Sequence, residues 1–211
     1  PEEARFFFLI NRGSPYDERF SYKTPAYRKI IRRLGDSGYA VGIHPSYTSY
    51  LNEALIATET QWLAGITGKA ITDCRMHFLR YRLPLTYRYL IAAGIRNDYT
   101  SCMNHSGGFR NFIASPFPWF DLERNEITDL ILHPSILMDR GLQAYAQMDP
   151  EQSEERILEL LHITLKFKGC FRLLLHNSTL SEWKEWQGWR PLFEKILYRL
   201  RNIPDDEGRI S

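Results

Sequence analysis

Histidines in this chain recur at the points where short apolar runs end. His44, in the stretch GIHPSYTSY, follows one such run, and His133 and His176 follow two others. His77 and Asp98 lie on or near the ends of two further runs. A neutral imidazole in such a position can ligate a divalent metal or transfer a proton. Because parallel α/β sheets and barrels carry their active sites at the carboxyl ends of the strands, we expect these five side chains to converge there.

His44 and His176 each have two interpretations. The imidazole of His44 suits a divalent metal such as zinc, or it caps the turn that begins at Pro45. His176 ends the apolar run of LLLHN, a position from which a rigid strand can deliver a general acid or base. The alternative is a strand-ending histidine bonded to Asn177 or Ser178. Convergence with the other polar groups favours a functional role for both histidines.

Arg75 and His77 lie two residues apart in the segment CRMHFLR. In a strand, the alternation of side chains places both on one face. An arginine there can hold a carboxylate or stabilise an oxyanion. The alternative is a surface arginine beside a core histidine.

The elements that position these residues alternate between apolar runs and amphipathic segments, which predicts an α/β chain with a largely parallel sheet. Strands are predicted at Arg5–Ile10, Tyr39–Ile43, Ala70–Leu79, Gly94–Tyr99, Leu130–Leu132 and Phe171–Leu175. Helices are predicted at Pro25–Leu34, Asn52–Ile66, Pro84–Ala93, Asp149–Lys168 and Trp189–Arg201, where capping residues, Pro and Gly mark several of the ends. Residues 11–23 and about 101–125 are predicted to be mainly loops, with one short strand in the second range.

Composition limits the classes of function. With 211 residues, 44% of them hydrophobic, the chain can bury one large core, and we expect a single domain over residues 1–211. A net charge of +2 with scattered basic residues gives no indication of a nucleic-acid partner. The three cysteines form no C-x-x-C pair, and no apolar run reaches the ~18 residues that a membrane span needs. The sequence leaves localisation open between the cytoplasm and the cell envelope.

Five motifs, in order, carry a resemblance to a known family. They are GIHPSY at Gly42–Tyr47, RMHFLR at Arg75–Arg80 followed by Pro84, GFR at Gly108–Arg110, LHP at Leu132–Pro134 before Met138 and Asp139, and LLHNSTLS at Leu174–Ser181. In these the chain resembles the polysaccharide deacetylases, the NodB-homology family of metal-dependent carbohydrate esterases (carbohydrate esterase family 4), and in particular a bacterial subgroup. The likeness runs from about Phe6 to Leu200.

The resemblance implies a distorted (β/α) barrel and a metal-dependent hydrolase that removes N- or O-linked acetyl groups from a polysaccharide or cell-envelope glycan. The metal would be divalent, with zinc expected and cobalt or nickel as alternatives. His44 matches the first metal-binding histidine of the family, and Arg75 matches the arginine that orients the catalytic base. His176 matches the histidine that protonates the leaving group. The partner implied is an acetylated glycan, with no nucleic acid and no membrane span.

This chain departs from the family pattern at two points. The family's second metal-binding histidine falls at Thr48, and we predict that His77 replaces it close enough to His44 to share one ion. Paired aspartates of the family belong on a strand upstream of FFFLI, whereas this chain begins at Pro1. We therefore expect the barrel to lack its first strand here, the domain to be truncated at its N-terminus, and the 211 residues alone to be nearly inactive. Asp17 is a poor substitute for the base because it follows the wrong strand.

Remaining site residues and functions follow from the same comparison. Substrate-binding roles are predicted for Arg80, Asp98, Arg110, His133 and Asp139. Two other functions stay open: a catalytically inactive relative that binds carbohydrate, and a metal-dependent amidohydrolase acting on a small non-sugar amide.

Overall fold

The computed structural model describes residues 4–17 and 22–202, and the backbone of residues 209–210. Residues 18–21 of the predicted loop over 11–23 lie outside the described part. The described residues group into two compact units. The first contains residues up to Thr100 together with 117–133, and the second contains residues 101–116 and those from Pro134 onward.

A six-stranded sheet forms the frame of the first unit. Its strands are β1 (Arg5–Phe8), β2 (Ala40–Ile43), β3 (Asp73–Cys74), β4 (Asn97–Asp98), β5 (Phe117–Asp121) and β6 (Glu126–Leu132), in the spatial order β1-β2-β3-β4-β6-β5. All neighbours pair in parallel except β5, which forms an antiparallel hairpin with β6. The predicted class, α/β with a mostly parallel sheet, is therefore confirmed.

Three helices connect the strands of this sheet: α1 (Pro25–Asp36), α2 (Glu53–Thr67) and α3 (Leu85–Ala92). α2 shows how local signals set the bounds. The Asn52 side chain accepts a hydrogen bond from the backbone N–H of Leu55, and Gly68 ends the helix in the left-handed conformation at φ 69°. Residues of α2 such as Ile56 and Leu63 then pack fully buried against the sheet.

The strand β1 divides its aromatic side chains between the two faces of the sheet. Phe6 and Phe8 join the hydrophobic core. Phe7, which points to the opposite face because side chains alternate, contacts the Tyr99 ring at 5.3 Å and the Arg75 guanidinium at 5.1 Å. A run of three phenylalanines thus serves both the core and the face that carries polar residues.

The predicted strand over Ala70–Leu79 is wrong beyond Cys74. The backbone N–H of Met76 donates to the Thr100 hydroxyl at 2.9 Å, and His77–Leu79 then form a 3₁₀ turn. Within it, Phe78 (φ 55°) and Leu79 (φ 53°) adopt the left-handed conformation. The strand alternation that was expected to align Arg75 and His77 is therefore absent.

In its described residues, the second unit combines two α-helices with two short parallel strand pairs. The helices are α4 (Pro150–Lys166) and α5 (Trp189–Arg201), and the strands are β7 (Leu137–Met138), β8 (Cys170–Phe171), β9 (Leu173–Leu174) and β10 (Arg209–Ile210). β7 pairs with β9, and β8 pairs with β10. The strand predicted over Phe171–Leu175 is thus divided at Arg172, whose carbonyl accepts from the backbone N–H of Ile136. A separate apolar core includes Ile136, Phe171 and Phe193.

Two global properties follow from the described part of the chain. No described helix is both long and apolar enough to cross a bilayer. Cys74, Cys102 and Cys170 form no disulfide among the described residues.

Candidate functional site

Two histidines lie ring against ring after β2 and β3. The centroids of His44 and His77 are 4.8 Å apart, with an interplanar angle of 67°. His44 Nδ1 is hydrogen-bonded to the carbonyl of Arg75, and His77 Nε2 to the carbonyl of Tyr16 at 3.1 Å. Because a carbonyl only accepts, each of these nitrogens carries the hydrogen, which leaves the lone pairs on His44 Nε2 and His77 Nδ1. The rings approach each other as predicted, and joint ligation of a metal stays a prediction.

The histidine pair supplies only part of a metal site. Catalytic zinc has three protein ligands. Among the described residues, no group of three His, Cys, Asp or Glu side chains is placed to hold a metal ion. His44 and His77 therefore do not make a complete catalytic site by themselves.

Two buried carboxylates hold the turn that begins at His44. Glu59, on the inner face of α2, accepts hydrogen bonds from the backbone N–H of Ser46 at 2.8 Å, from its hydroxyl, and from Asn11 Nδ2 at 2.7 Å. Desolvation raises the pKa of Glu59, and these hydrogen bonds offset that effect only in part. Asp17 accepts from the backbone N–H of Tyr47 at 2.8 Å. Sequence reasoning missed Glu59, although its place on the apolar stripe of a helix was a usable signal.

The hydrogen bonds of Asp17 hold loops together, and they do not place it as a catalytic base. Besides the bond from Tyr47, it accepts from the backbone N–H of Gly13 at 3.0 Å and from the hydroxyl of Ser14 at 2.9 Å. It is nearly fully buried. These bonds hold the loop after β1 against the turn after β2.

Asp98 lies at the end of β4 and is fully buried. Its carboxyl group accepts from the hydroxyl and the backbone N–H of Thr100, and from the hydroxyl of Tyr87 at 3.4 Å. Burial raises the pKa of Asp98 to about 6, although these hydrogen bonds act in the opposite direction. The substrate-binding role predicted for Asp98 stays a prediction.

His133, Arg80 and Arg75 lie in the same unit. The His133 ring stacks on Tyr99 at 4.4 Å, and its Nε2 lies 2.9 Å from the side-chain oxygen of Asn97. The Arg80 guanidinium lies 3.9 Å from the centroid of Tyr47 and 4.0 Å from that of Tyr50.

His176 and Asp139 form a hydrogen-bonded pair in the second unit. His176 follows β9, and Asp139 follows the neighbouring strand β7. The Nδ1 of His176 lies 2.7 Å from Oδ1 of Asp139, whose other oxygen accepts from the backbone N–H of His176 and from the Thr179 hydroxyl. Since the carboxylate holds a hydrogen on Nδ1, Nε2 is the nitrogen of this 31% exposed side chain that can accept or donate the other proton. The expected alternative partners of His176, Asn177 and Ser178, are not the residues that bind its ring.

The charge of Asp139 is stabilised although the side chain is fully buried. Desolvation acts to raise its pKa, but the hydrogen bond and the charge of His176, with the Thr179 hydroxyl, outweigh it and lower the pKa. Asp139 was predicted to bind substrate. Its hydrogen bonds orient the His176 ring, and its substrate-binding role stays a prediction.

The first unit places His44, His77, Asp98 and His133 along one sheet edge, because β2, β3, β4 and β6 are neighbours. His176 and Asp139 belong to the second unit, as does Arg110, which is exposed and donates to the carbonyl of Cys102 at 3.1 Å. Convergence of all the predicted site residues stays a prediction.

Comparisons with known proteins support the fold. No family model matches the sequence, and no curated protein matches it. A crystal structure of a protein from Mycobacterium smegmatis assigned as a polysaccharide deacetylase aligns with a TM-score of 0.61 at 13% identity, over 88% of this chain and 64% of that one. The likeness is one of fold. This chain thus spans less than two thirds of that protein.

Two further solved structures align less well. A mutant of BA3943, a CE4 family pseudoenzyme with restored enzymatic activity, has a TM-score of 0.44 at 12% identity, over 88% of this chain and 50% of that one. TK1436, a GH57 branching enzyme from Thermococcus kodakaraensis, has a TM-score of 0.48 at 14% identity, over 87% of this chain and 48% of that one. With TM-scores below 0.5, neither likeness extends the fold assignment.

Proposed function

We propose that this chain is a deacetylase-like hydrolase that acts on an acetylated glycan. The observation that carries the proposal is the pairing of His176 with the buried carboxylate of Asp139. The carboxylate holds the hydrogen on Nδ1, orients the imidazole and stabilises the imidazolium that carries a second proton on Nε2. That Nε2 proton is the one delivered to a leaving amine or alcohol, which returns the ring to its neutral form. This choice of reaction is supported by the five sequence motifs, which occur in order along the chain, and by the fold shared with a protein assigned as a polysaccharide deacetylase.

The remaining predicted roles belong to the same proposal. Arg75 orients the base. The residues proposed to bind the glycan are Arg80, Asp98, Arg110, His133 and Asp139, and Asp139 also orients His176. A distorted (β/α) barrel in one domain over residues 1–211 is part of the proposal and rests on the ordered motifs.

A divalent metal enters the proposal through His44 and His77, with zinc as the first candidate. When bound, such an ion would polarise the acyl carbonyl and activate water. The described residues supply two imidazole nitrogens, fewer than a catalytic site requires, so we assign no step to the ion. Metal content after dialysis against zinc tests the assignment: His44→Ala and His77→Ala should each lower it, and unchanged content in both variants would exclude these ligands.

A second function, carbohydrate binding without hydrolysis, is favoured by the incomplete set of metal donors among the described residues. In both functions the protein binds an acetylated glycan, but in the second it does not hydrolyse it. The two functions therefore need an assay that measures product release and binding separately.

The test is acetate release from acetylated chito-oligosaccharides in the presence of zinc or cobalt. It should use the protein at its natural length. His176→Ala should lower the rate about 10²- to 10⁴-fold, the usual contribution of a general acid. His162→Ala, which alters an exposed histidine on α4, is the matched control and should leave the rate unchanged.

Three results would contradict the proposal. An unchanged rate in His176→Ala would remove the proton-transfer role of that histidine. Glycan binding without acetate release would establish the second function instead. Release from small non-sugar amides alone would identify an amidohydrolase.

A further inference from the structure

Three aromatic side chains lie beside the histidine pair in the first unit. We call Tyr16, Tyr47 and Phe78 the aromatic patch. Their ring centroids are 4.4 Å apart for Tyr16 and Tyr47, 5.3 Å for Tyr47 and Phe78, and 6.0 Å for Tyr16 and Phe78. The Phe78 ring also contacts His77 at 4.7 Å, which in turn contacts His44. The patch is therefore continuous with the proposed site.

Much of the patch faces solvent. Tyr16 is 60% exposed and Phe78 is 56% exposed. Aromatic rings of this size normally contribute to stability by being buried. Exposure of two adjacent rings next to a pair of histidines indicates a surface that contacts something other than the protein's own core.

The backbone at Phe78 adds an independent observation. Its φ of 55° and ψ of 22° place a bulky residue in the left-handed region, and Leu79 follows with φ 53°. This conformation is unfavourable for any residue with a Cβ, and such residues cluster at binding and active sites.

The patch is held rigidly from below. The Arg80 guanidinium stacks against Tyr47, and its Nη1 donates to the carbonyl of that residue at 3.2 Å. The backbone N–H of Tyr47 is bound by Asp17, and the carbonyl of Tyr16 accepts from His77. The backbone of both tyrosines and the ring of Tyr47 are therefore held in place without a ligand, which reduces the entropy lost on binding.

We propose that Tyr16 and Phe78 form a subsite that binds one sugar ring of a glycan beside the His44–His77 pair. The proposal deepens the proposed function, since it names the part of the glycan that is held there. A pyranose ring presents an apolar face of C–H groups that matches an aromatic ring, and hydroxyls at its rim that suit the neighbouring polar groups. Two exposed rings are too few for a stable protein–protein interface, which takes about 20–30 residues a side.

The test is calorimetric titration with N-acetylated chito-oligosaccharides of one to five sugars, and with cello-oligosaccharides, which lack the acetamido group. Phe78→Ala, Phe78→Leu and Tyr16→Ala should each raise the Kd for the longer oligosaccharides about five- to tenfold, and change the Kd for the single sugar less. Phe78→Leu keeps an apolar side chain but removes the ring, so it separates stacking from simple burial. Phe120→Ala, at an exposed aromatic residue on the edge strand β5 of the same sheet, is the control and should leave the Kd unchanged.

Several results would overturn the subsite. The first is an unchanged Kd in all three patch variants, and the second is an equal loss of oligosaccharide affinity in Phe120→Ala. The third is a dimer, seen in sedimentation velocity, that Phe78→Ala dissociates, because the patch would then be a self-association surface. Thermal unfolding of each variant shows that the first unit is intact.

Acetate release separates this proposal from the proposed function. If the protein binds oligosaccharides through the patch but releases no acetate, the subsite stands and hydrolysis fails. If acetate is released while the patch variants bind normally, hydrolysis stands and the subsite fails.

Discussion

Replacement of Asp98 by asparagine should make the first unit more stable at neutral pH. Asp98 is fully buried at the end of β4, where desolvation raises the pKa of its carboxyl group to about 6. Its partners, Thr100 and Tyr87, lie around the carboxyl group and provide no cation. Asparagine is nearly isosteric with the protonated acid and cannot ionise.

The magnitude follows from the two pKa values. In the unfolded chain the pKa of Asp98 is close to 3.8. Between about pH 4 and pH 6 the folded protein therefore holds a proton that the unfolded chain has lost. The stabilisation from this proton is fully present below about pH 4 and is lost as the pH rises through about 6. A difference of about 2 pKa units corresponds to about 3 kcal/mol at neutral pH, and Asp98→Asn should avoid this loss.

The assay is urea unfolding of the parent and Asp98→Asn at intervals from pH 4 to pH 7.5. The difference in unfolding free energy should change by about 3 kcal/mol in favour of the variant across this range, most of it by pH 6. Asp73→Asn is the matched control on the neighbouring strand, and it should destabilise because it removes a carboxylate paired with Arg5 at 3.1 Å. A pH-independent difference for Asp98→Asn would refute the reasoning. A weakened affinity for oligosaccharide in this variant would instead favour the substrate-binding role predicted for Asp98.

Three further substitutions test separate contacts. Gly42→Ala should destabilise the protein by about 1–3 kcal/mol, because the new Cβ would lie 2.6 Å from a ring carbon of Phe7. Gly65→Ala should instead stabilise it by up to about 1 kcal/mol, because a Cβ there meets nothing within 4 Å. Equal stabilities of the two variants in thermal melting would contradict this. Phe78→Gly should be about 1 kcal/mol more stable than Phe78→Ala in the same melts, since both lose the ring and only glycine relieves the left-handed backbone. Asp139→Asn should lower the free energy of unfolding by about 2 kcal/mol at pH 7, and by less as the pH falls below about 4. The reason is that the lowered pKa of Asp139 contributes stability, which is lost when the carboxylate of the folded protein becomes protonated. Denaturant midpoints of parent and variant that do not converge at low pH would exclude this account.

Helix bounds in this chain were predictable because their signals are local. The helix predicted at Trp189–Arg201 has those limits in the structure. Asp149 and Gln152 form the reciprocal hydrogen bonds of a capping box at the start of α4, within four consecutive residues. Such signals need no knowledge of the rest of the fold.

The prediction of a strand over Ala70–Leu79 was wrong because the end of this strand depends on a distant residue. Met76 donates its N–H to Thr100, 24 residues further along, and this bond directs the chain out of the sheet. The pairing of His176 with Asp139 joins residues 37 apart and depends on β7 lying beside β9. His44, His77 and His176 could be recognised from their positions after strands, but the carboxylate partner of His176 and the carbonyl partners of the other two are set by tertiary contacts.

The buried carboxylates of Asp17 and Glu59 have a consequence for the kinetics of ligand binding. Because they bind the consecutive backbone N–H groups of Tyr47 and Ser46, the turn after His44 is tied to both α2 and the loop after β1. A segment held in this way behaves as part of the rigid frame and does not close over a ligand as a lid does. Association with an oligosaccharide at this turn should therefore follow a single exponential in stopped-flow traces, with an observed rate that rises linearly with ligand concentration and reaches no plateau set by a conformational step.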